Sequence, residues 1–228
     1  MRSALVLLLL PALLRAEDDA ENRIRAMEKK LESAKTIQVT FESRAEGLRE
    51  SGTFHGTLTV TEGNKMHLDG SIEMEGKKVD WKKVSDGTKT TEEGLDRGSR
   101  NTSKTLTADL RRSLTHGGFI MGTYMSAAAG GEEFWMDFRV SDFELGKPDN
   151  VGTRRAQIVA CKLTPVAKGE KKVDISFSES IWLDTETNLP LNRVFTGNPD
   201  GKKITFAETY EKLVLDPKVD GKLFELPK

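Results

Sequence analysis

Three histidines, one cysteine and a few serines are the side chains of this chain best suited to chemistry, and their spacing argues against most of it. His55, His67 and His116 lie far apart, with neither the H-x-H nor the H-E-x-x-H spacing that puts two ligands on one face of an element. A zinc site would need folding to gather all three. Ser113 and Ser126 lack the G-x-S-x-G turn that presents a nucleophilic serine. No glycine-rich phosphate loop follows a strand pattern. The acidic residues alternate with lysines, the pattern of a solvated face. Cys161 sits in the alternating run AQIVACKL and is expected to be a buried small hydrophobe rather than a nucleophile. These residues point to binding rather than catalysis, with no metal and no other cofactor.

The residues that could bind are apolar. Phe41, Phe54, Leu58, Trp81, Phe134, Met136, Phe177 and Phe206 fall on the apolar sides of alternating runs. Phe119, Met121 and Met125 cluster between two glycine pairs, Gly117-Gly118 and Gly130-Gly131. If the strands curl, the first set lines a concave groove and the second forms its cover or a buried helix. Methionine suits such a surface because its unbranched thioether adapts to varied shapes. The competing reading is that each of these residues is core.

Those side chains need elements to place them. Residues 19–35 carry Ile24, Met27, Leu31 and Ala34 on one helical face, with Arg25, Glu28 and Lys29 among those on the other. Asp18 and Glu21 have the spacing of a capping box at the helix start. The period then changes to two. Strands are expected at 37–41, 52–61, 65–74 (broken at Asp69-Gly70), 77–84 and, weakly, 88–92. Residues 95–105 are polar and expected as loop. Residues 106–129 form a second helical region, interrupted at His116-Gly117-Gly118. Further strands follow at 134–140, 155–163 and 172–178. The tail, 181–227, holds three alternating runs divided at Thr185-Glu186-Thr187-Asn188 and Asn198-Pro199-Asp200-Gly201, and stopped at Asp216-Pro217. Leu223, Phe224 and Leu226 close it as a short cap. The class is α+β, mainly antiparallel, with about ten strands, a leading helix and a helical insertion.

The chain has 228 residues. Its start, Met1-Arg2, then an apolar run from Ala4 to Leu14 and a cleavage-like Leu14-Arg15-Ala16, fits a secretory leader over residues 1–16. The apolar run is shorter than the ~20 residues that span a bilayer. The remainder, 17–228, is expected as one domain. Without Arg2 and Arg15 it carries three more acidic than basic residues, which speaks against nucleic acid as a partner. In an exported chain, one cysteine also means no internal disulfide, so stability must come from a packed core.

Several short motifs together resemble the LolA/LolB-type lipoprotein-carrier superfamily. The leading helix runs into AKTIQVTFES, with an alternating V-x-F. Gly56-Thr57-Leu58-Thr59-Val60 followed by Asn64-Lys65-Met66 is similar to the family's G-x-L-x-V strand and its successor. Val84-Ser85-Asp86-Gly87 is similar to its V-S-D-G turn. Asp184 with Leu189-Pro190, and Leu215-Asp216 with Asp220, Phe224 and Pro227, resemble its ending. The resemblance implies a curved antiparallel sheet, or half-barrel, whose helical insertion acts as a lid over an apolar cavity. It implies a monomeric periplasmic carrier of lipid or lipoprotein acyl chains, loaded and unloaded by membrane-bound donor and acceptor proteins. The alternative is an envelope sensor or assembly factor that grips a protein partner with the same fold. Two departures stand out. Glu62-Gly63 replace the family's Arg-Pro, whose arginine helps hold the lid shut, and Thr88-Lys89-Thr90-Thr91 replace the aromatic residue usual after V-S-D-G.

Overall fold

Alternation with period two puts one side of each strand on the core and the other toward solvent. In the computed structural model, which describes residues 6–47, 51–74, 76–94, 98–102, 104, 106–118, 137–166, 176–198 and 201–227, that alternation produces one antiparallel sheet of twelve strands. The first six are β1 (Ile37–Glu46), β2 (Gly52–Thr61), β3 (Lys65–Met74), β4 (Lys77–Asp86), β5 (Lys89–Glu93) and β6 (Gly98–Asn101). The others are β7 (Asp137–Leu145), β8 (Asp149–Val151), β9 (Arg154–Val166), β10 (Phe177–Asp184), β11 (Pro190–Gly197) and β12 (Ile204–Leu215). Their order is β6-β5-β4-β3-β2-β1-β12-β11-β10-β9-β7, with β8 paired to β9 beside this path. Two meanders are thus joined by their first and last strands, Ile37 of β1 facing Leu215 of β12. The sheet does not close on itself, and it forms the expected curved half-barrel.

Among the described residues, two helices cover the inner face. Helix α1 (Val6–Ser33) buries Ala20, Ile24, Met27 and Leu31 completely, the stripe expected from their spacing, and packs on β7, β9 and the second helix. Its start differs from expectation. Asp18 lies within the helix rather than at its cap, because the Ala- and Leu-rich residues before it are strong helix formers that extend the helix back to Val6. Helix α2 (Leu106–Thr115) buries Leu106 and Leu114 and stops at Gly117 and Gly118. Both glycines have φ near +80°, which ends a helix at little cost only when the side chain is absent. The rest of the expected helical region, and residues 134–136, lie outside the described residues.

Four expectations change. β3 runs unbroken through Asp69-Gly70, and Gly70 sits between Gly56 and Trp81 in register. A Cβ at Gly70 would collide with the His55 carbonyl, so this glycine allows close strand approach instead of breaking the strand. β6 lies where loop was expected, and its polar Gly98-Ser99-Arg100-Asn101 shows no apolar side because an edge strand pairs through backbone alone. β8 was not expected either. Finally, the separate runs expected at 172–178 and from 181 meet in a single β10 that begins at Phe177.

The tail folds as its turn chemistry implies. Asp184 accepts hydrogen bonds from the backbone N–H groups of Glu186 and Thr187 and from the Thr187 hydroxyl, at 3.0, 2.7 and 2.9 Å. Asp216 accepts from the N–H groups of Lys35 and Thr36 at 2.7 and 2.9 Å, tying the end of the sheet to the exit of α1. Asp220 caps the short 3-10 helix Gly221–Phe224, which buries Phe224 and packs on β3 and β4.

Candidate ligand chamber

Every inward-facing residue of the sheet is set by its register, and together they make two apolar fields. In the first field Phe54 stands between Phe41 and Trp81, with ring centroids 5.2 and 5.1 Å apart. Phe41, Gly56, Gly70 and Trp81 face one another strand by strand, and the paired glycines let β2 and β3 approach closely between the flanking rings. Trp81 donates its indole N–H to buried Glu92 at 3.0 Å. In the second field Phe177 stacks on Phe195 at 4.6 Å, Phe138 meets both edge-on, and Phe206 lies 6.0 Å from Phe195. Gly197 is the seat of the Phe177 ring, because a Cβ there would overlap it.

A row of polar residues crosses the inner face between these fields and the helices. Ser43 faces Glu208, Glu208 faces Arg193, and the row steps diagonally to Glu179, which faces Cys161. Arg193, Glu179 and Glu208 are each only 1% exposed. Buried charges persist only when paired and hydrogen-bonded, and these are. The Arg193 guanidinium lies 3.3 Å from Glu179 Oε1. It also donates to the carbonyls of Ser113, Leu114 and Thr115 at 3.2, 2.5 and 3.2 Å, the unsatisfied carbonyls at the end of α2. Glu179 accepts the Gly117 N–H at 3.0 Å and lies 3.3 Å from His116 Nδ1, while His116 Nε2 is 2.7 Å from Glu28 Oε1 on α1. Gly118 packs directly on the Glu208 carboxylate, where a Cβ would not fit.

The electrostatics follow from this pairing. Burial pushes the Glu179 carboxyl up, but Arg193, His116 and the Gly117 N–H outweigh it and hold it below the usual carboxylate range. Burial, with the Glu208 carboxylate beside it, raises Tyr210 well above the ordinary phenol range. Tyr210 is therefore a neutral donor, 2.6 Å from Glu208. Burial and the neighbouring Glu179 push the Cys161 thiol up as well, leaving it protonated and unreactive, as a buried small hydrophobe should be.

The residues singled out in the sequence divide cleanly. Phe41, Phe54, Leu58, Trp81, Phe177 and Phe206 are all buried and belong to one inner cluster. Phe119, Met121, Met125, Phe134 and Met136 lie outside the described residues. The sequence pattern also missed members of this inner face: Phe138, Phe195 and the ionic row. Glu28, placed on the solvent face of its helix by periodicity, instead turns its carboxylate to His116, and Glu179 and Glu208 are not solvated at all. A signal was present. Phe177-x-Glu179-x-Ile181, Arg193-x-Phe195 and Phe206-x-Glu208-x-Tyr210 each put a charge at an inward position. At the β2–β3 turn, where the resemblance has Arg-Pro and this chain has Glu62-Gly63, no arginine is present. The helix-end carbonyls are instead reached by Arg193 and by Arg111, which donates to Leu31, Ala34 and Lys35 at the end of α1.

This open half-barrel, with its aromatic inner face, has counterparts among solved structures. LprF from Mycobacterium bovis superposes with a TM-score of 0.51 at 10% identity, over 88% of this chain and 97% of that one. The lipoprotein LppX of Mycobacterium tuberculosis gives 0.47 at 9% identity over 88% and 100%. The MucA/MucB complex of Pseudomonas aeruginosa gives 0.40 at 15%, over 92% of this chain and 61% of that one. Of these three, the LprF superposition exceeds 0.5 and establishes a common fold. No family model matches the sequence, and no curated protein sequence does.

Proposed function

We propose that this protein is a periplasmic carrier that holds lipid, or the acyl chains of lipoproteins, against the aromatic inner face of its half-barrel. The observation that carries this reading is the phenylalanine field formed by Phe138, Phe177, Phe195 and Phe206 on the inside of an unclosed sheet. An acyl chain laid along such a wall gains about 0.8 kcal/mol for each methylene it buries. Phe41, Phe54, Leu58 and Trp81 would extend the wall, and Phe119, Met121, Met125, Phe134 and Met136 would complete it on the strength of the sequence pattern. The leader over residues 1–16 would deliver the chain to the periplasm as a monomer. Membrane-bound donor and acceptor proteins would load and unload it.

A second reading rests on a specific observation. The rings already pack on one another, edge-on and stacked, as they would in a side-chain-filled face that serves a protein partner instead. Native mass spectrometry of the protein from a periplasmic extract separates the two. The carrier reading expects copurified lipid, or uptake of an added lysophospholipid or acylated peptide. It also expects Phe138→Asp, a half-buried edge position, to cut that uptake at least about tenfold with an unchanged circular dichroism spectrum. No lipid retained and none bound on addition would sink it and leave the protein-partner reading.

A further inference from the structure

The end of α2 is fastened by a histidine with a carboxylate on each side. His116 Nδ1 lies 3.3 Å from Glu179 Oε2 and Nε2 lies 2.7 Å from Glu28 Oε1. A neutral imidazole has one N–H, so one of its nitrogens would turn a lone pair on a carboxylate oxygen. Only the imidazolium donates to both. Each carboxylate also has an arginine, Arg25 at 3.0 Å from Glu28 and Arg193 at 3.3 Å from Glu179, so both are held ionised beside the ring. The ring itself is sequestered, with its side chain 10% exposed.

Other groups that face this cluster leave the arrangement intact. From β12 come Glu208 and Tyr210, the phenol donating to the carboxylate; from β9 comes the neutral Cys161 thiol, 3.9 Å from Glu179 Oε2. On α2 itself Arg112 pairs with Asp109 at 3.4 Å, one turn before the histidine. We infer that His116 is a proton-operated clasp: its imidazolium ties the end of α2 to α1 and to the sheet, and loss of that proton weakens the hold on the α2 end, leaving it to Arg193 and the Gly117–Glu179 hydrogen bond.

The direction of the titration agrees. Burial pushes His116 down, but hydrogen bonds and charge from Glu179 and Glu28 outweigh it and raise it above the ordinary histidine range. A group raised in the closed state contributes fully below its open-state pKa, and the contribution disappears as pH rises through the closed-state value. Between those two values each opening of α2 releases a proton, so the opening constant rises up to about tenfold per pH unit. Below about pH 6.5, the unperturbed histidine value, it is flat. The inference concerns how α2 is held and stands independently of what the chamber carries.

Hydrogen exchange of the full chain, followed over the 106–118 peptide and corrected for the intrinsic pH dependence of exchange, tests it. Wild type is expected to lose protection up to about tenfold per pH unit above about pH 6.5, then level off. His116→Gln, which keeps one donor and cannot titrate, is expected to show no such slope. A flat wild-type profile, or a slope that survives in His116→Gln, overturns the clasp. Should the variant fail to fold, the wild-type imidazole read by NMR decides. Protons on both ring nitrogens and a titration above the ordinary histidine value support the clasp; titration at or below that value overturns it.

Discussion

A guanidinium 1% exposed in the middle of an apolar sheet face is stable because both of its terminal nitrogens are answered, its Nε making no hydrogen bond among the described residues. Arg193 meets Glu179 on one side and three carbonyls of α2 on the other. Truncation to alanine would leave Glu179 and those carbonyls buried without their partner. Arg193→Ala is therefore expected to lower unfolding free energy by about 3–5 kcal/mol in urea titration, the cost of breaking a buried pair from one side. Arg193→Lys should recover only part, because an ammonium has no planar fork to span a carboxylate and adjacent carbonyls. These charges were written in the sequence at inward positions, yet they were hard to see. Alternation tells which side a residue faces, but a charge in an apolar stripe ordinarily marks the end of the stripe. Glu179 is the case in point, since it divides Phe177 from Ile181 and conceals that β10 is continuous. The burial of Cys161 and of Phe41, Phe54, Leu58, Trp81, Phe177 and Phe206 was legible because burial of apolar side chains needs no partner to be specified.

The elements are held by two nested caps. Arg193 on β11 closes the end of α2, and Arg111 on α2 closes the end of α1 through the carbonyls of Leu31, Ala34 and Lys35. Loss of a charged group's hydrogen bonds costs about 1.5–3 kcal/mol. Arg111→Ala is accordingly expected to destabilise by about that much, and to raise hydrogen exchange at residues 31–35 while leaving β9 to β12 protected. In the sheet, Gly56 and Gly70 face each other and let β2 and β3 approach closely. Gly70→Ala is expected to cost about 1–3 kcal/mol by overpacking against the His55 carbonyl, read as a lower urea midpoint. The tail's turns were legible because Asp184 accepts hydrogen bonds from the N–H groups two and three residues on, and Asn188 and Asp216 take positive φ; the bonds of Asp216 to Lys35 and Thr36 at the exit of α1 were not. β6 and β8 were not, since short edge strands are specified by a neighbour's free backbone and not by their own side chains.

Taken as one molecule, the protein should be most stable across a bounded pH range. Burial pushes Glu28 and Asp184 up, as it does Glu179. For Glu28 the His116 and Arg25 hydrogen bonds outweigh it, and for Asp184 those of Thr187 and Arg154 do, so all three carboxyls sit below the usual range. Carboxyls lowered by folding contribute above their unfolded pKa and lose that contribution as pH falls through the folded value. His116 acts in the opposite sense, losing its contribution as pH rises. Thermal unfolding is therefore expected to show a plateau between about pH 5 and 6.5 with a decline on both flanks, the alkaline flank vanishing in His116→Gln. The half-barrel itself was legible from motifs spread along the chain, because turn chemistry and alternation recur in every strand. The joining of β1 to β12 was not, since nothing in either strand names a partner so distant in sequence.

That seam sets an order of events. A ribosome completes β1 long before β12, so one edge of the first strand waits unpaired until nearly the whole chain has emerged. Arg193 arrives late as well, so α2 is unsecured until then, and α1, made before α2, depends on it. Later strands therefore fasten earlier elements, and a growing chain stays open and threadable until β11 and β12 are free to fold.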